Sequence, residues 1–401
     1  MTKSFLTRNI ILLSLISLFN DLAGEMLYPI LPLYLESVGF SVLWIGLLEG
    51  MAEAISGISK SYFGKLSDRS GKRVPFIRIG YAMSAFSKPM LILFRFAPYV
   101  LFMRTVDRLG KGVRTGARDA LLSDESAPEN RGKVFGFHRA MDTLGAVLGP
   151  TVALAWLLTQ GDKNLEPVFW FAAIPGAAGI ILTFLIREQR KEPKIKTGNG
   201  GFFSFFSYWK IAKPEYKKIV AALGVFFLLN SSDVFLLLLV KKMGFGTSTA
   251  VLLYILYNCT YVIVSYPAGR LADKIGMKKM LLSGLSIFAL VYVIGGFLFF
   301  FSQPAQINLV LLIAAFALYG IYAACSDGVA KAWLSKTCEK SDSAQAMGLF
   351  SGVQSLGALA ASSIAGLLWT FDTAGAGTSL LLTAGAALFS ILLLRRIREG
   401  A

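Results

Sequence analysis

Charged side chains, histidine and cysteine are all scarce in this sequence. Of its 401 residues, 16% are charged and 55% are hydrophobic, one is histidine and three are cysteine. A soluble domain carries roughly 25% charged residues, so the composition argues against a soluble protein. The single histidine and the three cysteines lack the spacing of metal ligands, so the sequence predicts neither a metal site nor a disulfide framework. No Gly-x-x-x-x-Gly-Lys-[Ser/Thr] sequence occurs, which argues against ATP-driven transport by this chain alone.

Long uncharged stretches are what the chain has instead. Segments 10–19, 169–186, 281–301 and 379–394 contain no acidic or basic side chain. Runs of roughly 18–25 apolar residues match the hydrocarbon thickness of a bilayer when wound as helix. The alternation that a transmembrane barrel requires is missing. The sequence therefore predicts an all-α integral membrane protein with about twelve transmembrane helices, the first of which we expect to be resident rather than a cleaved signal peptide.

The positive charges follow a topological pattern. The formal net charge is +16. Lysine and arginine concentrate at the two termini and in the even-numbered connections, whereas the odd-numbered connections carry few of them. By the positive-inside rule, this predicts that both termini and the long middle loop are cytoplasmic. The charge is thus explained without a nucleic-acid partner.

The two halves of the sequence repeat each other. Gly64, Asp68 and Gly71 follow the second predicted span, and residues of the same types and spacing follow the eighth span at Gly269, Asp273 and Gly276. A parallel half-chain repeat predicts two bundles related by an axis along the membrane normal. We expect an N-terminal six-helix bundle at 1–187, a basic and aromatic cytoplasmic linker at 188–214, and a C-terminal six-helix bundle at 215–401.

These loops resemble the signature of the major facilitator superfamily. In the first copy the pattern is carried by Gly64, Asp68, Arg69, Gly71 and Arg73. The resemblance implies the major facilitator fold, with pseudo-two-fold symmetry and spans 3, 6, 9 and 12 as outer scaffold. It also implies that the paired loops act as a cytoplasmic gate. Asp68 and Asp273 would accept hydrogen bonds from a neighbouring helix N-terminus, where the helix dipole is positive.

A second pattern lies in the fifth predicted span. Gly145, Gly149 and Pro150 resemble the Gly-x-x-x-Gly-Pro motif of antiporters in the same superfamily, although pairs of small residues are also common helix contacts. The counterpart in the second half has lost the Gly-Pro pair. The resemblance implies export by antiport, and the compact loops suggest a bacterial inner (cytoplasmic) membrane.

Acidic residues inside the predicted spans are the candidates for proton coupling. A charge in hydrocarbon costs roughly 2.5–3.5 kcal/mol on insertion scales, so such residues are expected to face a wet interior. Burial raises the pKa of a carboxylate and nearby cations lower it, so a carboxylate can take up and release a proton when its surroundings change. Structural ion pairing is the alternative for each of them. The candidates are Asp21, Glu25, Glu49, Glu53, His138 and Asp142.

Polar and aromatic residues of other spans are the candidates for a substrate cavity. The fourth span carries a stripe of cations, whereas the second half carries amides and tyrosines suited to orienting an organic solute. We therefore expect the first bundle to handle protons and the second to shape the substrate site, with simple aromatic packing as the alternative. The cavity candidates are Arg104, Arg108, Lys111, Arg114, Asn230, Asp233, Tyr254, Tyr257, Asn258, Tyr261, Asp327 and Gln354.

The functional hypothesis is a secondary active transporter, not an enzyme. We expect a monomer that exports a small-molecule solute by alternating access in contact with membrane lipid, without cofactor, driven by protons and their gradient. Proton symport into the cell and uniport are alternatives within this class. A membrane-embedded transferase and a non-transporting receptor are remote alternatives, because no nucleophile–base set stands out and the buried carboxylates are retained.

Overall fold

The computed structural model describes residues 6–126, 130–161, 164–188, 204–301, 303–338 and 343–397, and every regular element among them is helical. The helices of the first half are α1 (Arg8–Leu27), α2 (Leu31–Ser37), α3 (Val42–Ser70), α4 (Val74–Met90), α5 (Ala97–Glu125), α6 (Arg131–Gln160) and α7 (Glu166–Thr183). A 3-10 turn at Ser204–Ser207 and the short α8 (Tyr208–Ile211) follow. The second half contains α9 (Pro214–Phe227), α10 (Val234–Lys242), α11 (Thr247–Ile275), α12 (Met277–Phe300), α13 (Ala305–Thr337), α14 (Ser343–Leu368) and α15 (Asp372–Arg395).

Nine helical segments of the described chain are long and apolar enough to cross a bilayer. The other three expected spans differ for identifiable reasons. Helix α4 has 17 residues, and α5 has 29 residues but carries many charges. The seventh span is divided into α9 and α10. With these three counted, the helices number about twelve spans, as the sequence predicts.

The first span of each half is interrupted. Helix α1 ends at Leu27 and α2 begins at Leu31, with Pro29 between them. Helix α9 ends at Phe227 and α10 begins at Val234, although the sequence predicts one continuous span there. Freed backbone groups at such breaks must find partners inside the protein because the bilayer core offers none. Here the Ser232 amide donates to Ser362 Oγ at 3.1 Å, and Thr383 Oγ1 donates to the Leu229 carbonyl at 2.8 Å.

Two compact units divide the chain. One comprises Met1–Leu31 and Ile55–Phe203, and the other comprises Pro32–Ala54 and Ser204–Ala401. Helix α3 therefore begins in the second unit and ends in the first. The bundle boundaries expected at 187 and 215 remain a prediction. Most of the expected linker, 189–203, lies outside the described residues.

Close helix contacts hold segment 32–54 within the second unit. A Cβ atom on Gly46 would lie 2.4 Å from the Ser362 carbonyl oxygen, and one on Gly50 would lie 2.9 Å from Leu359 Cα. Lys241 Nζ also lies 3.3 Å from a carboxylate oxygen of Glu36. Backbones that approach this closely leave no space for a side chain, so glycine is required at both positions.

Large apolar side chains are exposed along helices that lack charge. On α7, Ile174 is 69% exposed and Ile181 is 65% exposed; on α15, Leu388 and Leu392 are more than half exposed. Contiguous apolar surface of this kind is unfavourable in water and is expected where acyl chains cover the protein. The two helices are spans 6 and 12 of the predicted outer scaffold.

Candidate functional site

A cationic cluster surrounds Asp107 in the first unit. Lys88 Nζ lies 3.5 Å from Asp107 Oδ1, and Arg104 Nη1 and Arg108 Nε lie 3.6 and 3.4 Å from Oδ2. The four side chains are between 5% and 12% exposed. Buried charges require partners because desolvation is expensive. Asp107, which was not among the predicted site residues, is therefore the anchor of two predicted cavity residues, Arg104 and Arg108.

Arg114 has partners of a different kind. Its Nη1 donates to Ser84 Oγ at 2.6 Å, and its guanidinium lies 4.7 Å from the centre of the Tyr81 ring. Ser84 Oγ in turn donates to the Asp107 carbonyl at 3.0 Å, and the Ser84 carbonyl accepts a hydrogen bond from Lys88 Nζ at 2.9 Å. The position of Arg114 between α4 and α5 thus depends on a serine and a tyrosine. Their residue types gave no signal in the sequence.

The contact of α1 with α6 brings three proton-coupling candidates together. His138 lies 3.3 Å through Nδ1 from Ser14 Oγ, and its Nε2 lies 3.6 Å from Asp142 Oδ1. Asp21 faces the neighbouring turn of α6, because a Cβ atom on Gly145 would lie 3.1 Å from Asp21 Cβ. Asn20 Nδ2 donates to Asp21 Oδ1 at 3.3 Å. We call Asp21, His138 and Asp142 the α1–α6 acidic group.

The glycines of the fifth span lie in the same helix contact. A Cβ atom on Gly145 would lie 2.6 Å from the Leu18 carbonyl oxygen, and one on Gly149 would lie 2.6 Å from that of Leu22. Small residues at this spacing let two membrane helices approach each other closely. Pro150 follows within α6 without ending the helix. The motif therefore positions α1, and with it Asp21, against α6.

Towards the C-terminal end of α5, charged side chains pair with one another. Arg118 donates to Asp119 Oδ1 at 3.0 Å and to Ser17 Oγ at 2.7 Å, and Lys60 Nζ lies 3.9 Å from Asp119 Oδ2. Lys111 on the same helix is exposed, and Glu25 on α1 is half-buried. These contacts link α5 with α1 and α3 inside the first unit.

Two further proton-coupling candidates belong to the second unit. Glu49 is buried, with 3% of its surface exposed, whereas Glu53, one turn later on α3, is exposed. Both precede Ile55, at which α3 passes into the first unit. They are therefore grouped with the C-terminal helices, and not with the α1–α6 acidic group.

The second unit contains a cavity of about 140 Å³. Asn230 and Gln354 line it, which places two of the predicted cavity residues at one site. Four helices supply the wall, and all of its residues belong to the second unit. The lining residues are Leu223, Phe226, Phe227, Asn230, Leu281, Leu285, Tyr322, Ser326, Ala330, Lys331, Phe350 and Gln354.

The tyrosines of α11 are not among these lining residues. Tyr254 is buried, and its ring lies 5.7 Å from that of Tyr257, which lies 5.2 Å from that of Tyr319. Asn258 donates its amide to the Tyr254 carbonyl of its own helix at 3.0 Å. Asp233 and Tyr261 are half-buried. The side chain of Asp327 lies outside the described residues.

The paired loop motifs share a backbone feature. Gly71 and Gly276 adopt φ angles of 65° and 95°, a region that side-chain-bearing residues rarely occupy. Gly64 faces Gly116 of α5, where a Cβ atom on Gly116 would lie 2.8 Å from Gly64 Cα. No atom lies within 4 Å of the Cβ position of Gly269. The glycines thus shape the turns in both halves.

Each motif loop is also fastened to the end of its own half. Arg73 donates to Ser67 Oγ at 2.9 Å and lies 3.9 Å from Asp124. Glu188, beyond α7, accepts the backbone amides of Arg73 and Val74, which begin α4. The carboxylate at this helix N-terminus is thus Glu188, while the side chain of Asp68 lies outside the described residues. In the second half, the Lys278 ammonium donates to the carbonyls of Arg395 and Ile397.

Two further motif residues lie at the ends of their helices. Arg69 and Asp273 are in the last turns of α3 and α11. Among the described residues, no group of three or more histidine, cysteine, aspartate or glutamate side chains could hold a metal ion. In the described part of the chain, no disulfide joins Cys259, Cys325 and Cys338.

Comparison with known proteins gives consistent results. The family model described as Major Facilitator Superfamily matches residues 13–259 and 248–401. A protein of Methanocaldococcus jannaschii, named as an uncharacterized MFS-type transporter, is 37% identical over 372 residues, covering 91% of this chain and 89% of its own. The multidrug resistance protein MdtG of Citrobacter koseri is 24% identical over 286 residues, covering 68% of each chain.

Solved structures share the fold at low sequence identity. A mutant of the nucleoside transporter NupG superposes with a TM-score of 0.81 at 12% identity, covering 97% of this chain and 100% of its own. The human organic anion transporter MFSD10 gives a TM-score of 0.67 at 18% identity, covering 96% and 99%. The repeated loops, the helices and these matches lead to one conclusion: the chain belongs to the Major Facilitator Superfamily and is a multi-pass membrane transporter, not an enzyme.

Proposed function

We propose that the protein exports a small organic solute across a bacterial cytoplasmic membrane by alternating access, in exchange for protons. The observation that carries this proposal is the α1–α6 acidic group: Asp142 lies 3.6 Å from the single histidine, and Asp21 lies against Gly145, about one turn along α6 from Asp142. Two carboxylates near each other disfavour simultaneous ionisation, and nearby cations favour it. A small movement of α1 against α6 changes this balance and with it the number of bound protons.

The α1–α6 acidic group differs from the cluster around Asp107 in the closest charged partners of its carboxylates. Asp107 is surrounded by three cations within 3.6 Å, so it is held in its charged form and suits a structural role. Asp142 lies 3.6 Å from the histidine of its own helix turn. We therefore assign proton exchange to Asp21 and Asp142, with His138 positioned by Ser14 as their neighbour.

The direction of transport is inferred from two weaker observations. Relatives at 24–25% identity are named multidrug resistance proteins, and the Gly145–Gly149 motif lies against the helix that carries Asp21. A D-xylose-proton symporter shares the fold with a TM-score of 0.74 at 16% identity. Uptake by symport is therefore the competing outcome of the test. We further propose a monomer in contact with lipid and without cofactor.

The test is solute flux in proteoliposomes that carry an imposed pH gradient. Organic solutes are screened for movement that follows the gradient and reverses with it. The Asp142→Asn variant is expected to retain solute exchange at equal pH but to lose gradient-driven accumulation, because its amide cannot take up a proton. Asp119→Asn is the matched control, since Asp119 is already paired with Arg118.

Three results would contradict parts of the proposal. Flux that ignores the pH gradient would exclude proton coupling. Movement of solute in the same direction as protons would replace export with uptake. Equal losses in Asp142→Asn and Asp119→Asn would move the coupling site away from the α1–α6 acidic group.

A further inference from the structure

Eight of the twelve residues that line the cavity of the second unit are apolar or aromatic, and four are polar. Helices α9, α12, α13 and α14 all contribute to its wall. Phe226, Tyr322 and Phe350 are each less than 10% exposed, as are Leu281 and Leu285 on α12. An apolar wall with a few placed polar groups is the usual composition of a small-molecule site. The aromatic side chains therefore favour an occupant that carries an apolar ring, and the polar side chains require polar groups beside that ring.

Its size limits that body to one ring. The cavity measures about 140 Å³. A cavity of about 150 Å³ in another protein accepts benzene, whereas one water occupies about 30 Å³ of liquid. A six-membered ring fits this volume, and a fused ring system exceeds it. Aromatic rings on several sides favour a planar ring through offset or edge contacts.

Polar groups of the wall specify what the ring must carry. Asn230 lies in the break between α9 and α10, and its buried Oδ1 accepts no hydrogen bond from any described residue. A buried acceptor without a donor costs about 1–3 kcal/mol, so a ligand that donates an N–H or O–H to it is favoured. Ser326 already donates to the Tyr322 carbonyl at 2.8 Å.

The charge of the wall specifies the other end of the ligand. Lys331 is exposed on α13, and among the described lining residues it alone is charged at neutral pH. An ammonium group beside an apolar cavity attracts a carboxylate, and a charge-assisted hydrogen bond between them is stronger than a neutral one. A cationic ligand would meet repulsion there instead.

We propose that this cavity binds a single-ring organic carboxylate, with the ring against Phe226, Tyr322 and Phe350, the carboxylate at Lys331 and a ring hydroxyl or amino group at Asn230. Binding itself follows from the cavity alone. The step from bound ligand to transported solute rests on the transport function proposed above.

The experiment measures binding of 4-hydroxybenzoate to the purified full-length protein by isothermal titration calorimetry. 4-Hydroxybenzamide and 4-hydroxybenzylamine provide neutral and cationic probes of matched shape. The wild-type protein is expected to bind 4-hydroxybenzoate about tenfold more tightly than the amide, and the amine most weakly. Lys331→Met should remove this preference and leave affinity for the amide unchanged. Lys336→Met, at an exposed position one turn further along α13, should retain it.

A second variant tests the hydroxyl contact. Asn230→Leu should weaken the binding of 4-hydroxybenzoate but not that of benzoate, because only 4-hydroxybenzoate carries a hydroxyl donor on its ring. Thermal unfolding of each variant identifies any that fails to fold. Absence of wild-type binding, equal affinity for the three charge types, or equal losses in Lys331→Met and Lys336→Met would each overturn the proposal.

Flux measurements distinguish this inference from the proposed function. If the wild-type protein transports some solute with the pH gradient but 4-hydroxybenzoate neither binds nor competes, the site assignment fails and the transport function stands. If 4-hydroxybenzoate binds with the expected dependence on Lys331 but no solute is transported, the transport function fails and the site stands.

Discussion

Single residues decide how closely the helices of the first unit approach one another. Gly145 and Gly149 of α6 lie against the backbone of α1, whereas Gly136, on the same helix, has no atom within 4 Å of its Cβ position. The same residue type thus serves a packing contact in one turn and an open position in another. The contrast makes these glycines a direct probe of the α1–α6 contact.

Replacing Gly149 with alanine is expected to destabilise the protein. The new Cβ would lie 2.6 Å from the Leu22 carbonyl oxygen and 2.7 Å from the Met26 amide, so the helices must separate. Overpacking of this kind costs about 1–3 kcal/mol. The measurement is thermal unfolding in detergent. Gly136→Ala is the control and should be neutral or stabilising, since alanine favours helix. Equal effects would contradict the assigned contact.

Asp107 is expected to be essential for stability. Asp107→Asn would leave Lys88, Arg104 and Arg108 buried without their shared carboxylate. Removing one partner from a buried pair costs about 3–5 kcal/mol. A fall in folded yield and in the unfolding temperature is the expected result. Asp119→Asn, at a side chain 36% exposed, should cost about 1 kcal/mol or less. The assigned role would be wrong if the two variants behaved alike.

At the level of elements, breaks in helices are where the second unit departs from regular geometry. Residues 228–233 separate α9 from α10, and partners on α14 and α15 satisfy part of the freed backbone. Asn230 in this break also lines the cavity. An irregular segment inside a membrane is tolerated where protein or a cavity surrounds it. The break therefore places the polar side chain of Asn230 in the cavity wall, at a position that a regular helical turn would otherwise occupy.

Thr383→Val is expected to loosen this break. The variant keeps the shape of the side chain but removes the 2.8 Å hydrogen bond to the Leu229 carbonyl, at a cost of about 1–3 kcal/mol for the buried acceptor. Hydrogen exchange measured by mass spectrometry should become faster over 228–233. Thr378→Val is the control, because Thr378 is exposed and bonds the Ala374 carbonyl of its own helix. Unchanged exchange in both variants would contradict this account.

At the scale of the whole molecule, the distribution of cations predicts which loops face the cytoplasm. We expect the loop at 71–73 to face the cytoplasm and the loop at 161–165 to face the outside of the cell. The described residues include exposed positions in both loops, Lys72 and Asn164. These two positions provide a paired test of orientation.

Cysteine labelling in intact cells is expected to distinguish the two loops. After the three native cysteines are replaced, Asn164→Cys should react with a membrane-impermeant maleimide from outside. Lys72→Cys should react only after the cells are permeabilised, because its loop is cytoplasmic. The opposite pattern would invert the topology, and labelling of both from outside would contradict the spans between them.

The sequence by itself determined the class of molecule and its repeat. Uncharged runs set the number and helical nature of the spans, because a bilayer admits few other structures. The paired motifs identified the superfamily, and Gly71 and Gly276 have the positive φ angles that favour glycine at such turns. These features depend on local composition and spacing, which a linear chain displays completely.

Only the tertiary structure decided which polar groups meet. The sequence named Arg104 and Arg108 but not Asp107 as their anchor, and it predicted one continuous span where α9 and α10 are separate. It did not name Phe350, which lines the cavity of the second unit. Pairing depends on distances between residues on different helices, and helical periodicity specifies a face of one helix but not the neighbour that it contacts.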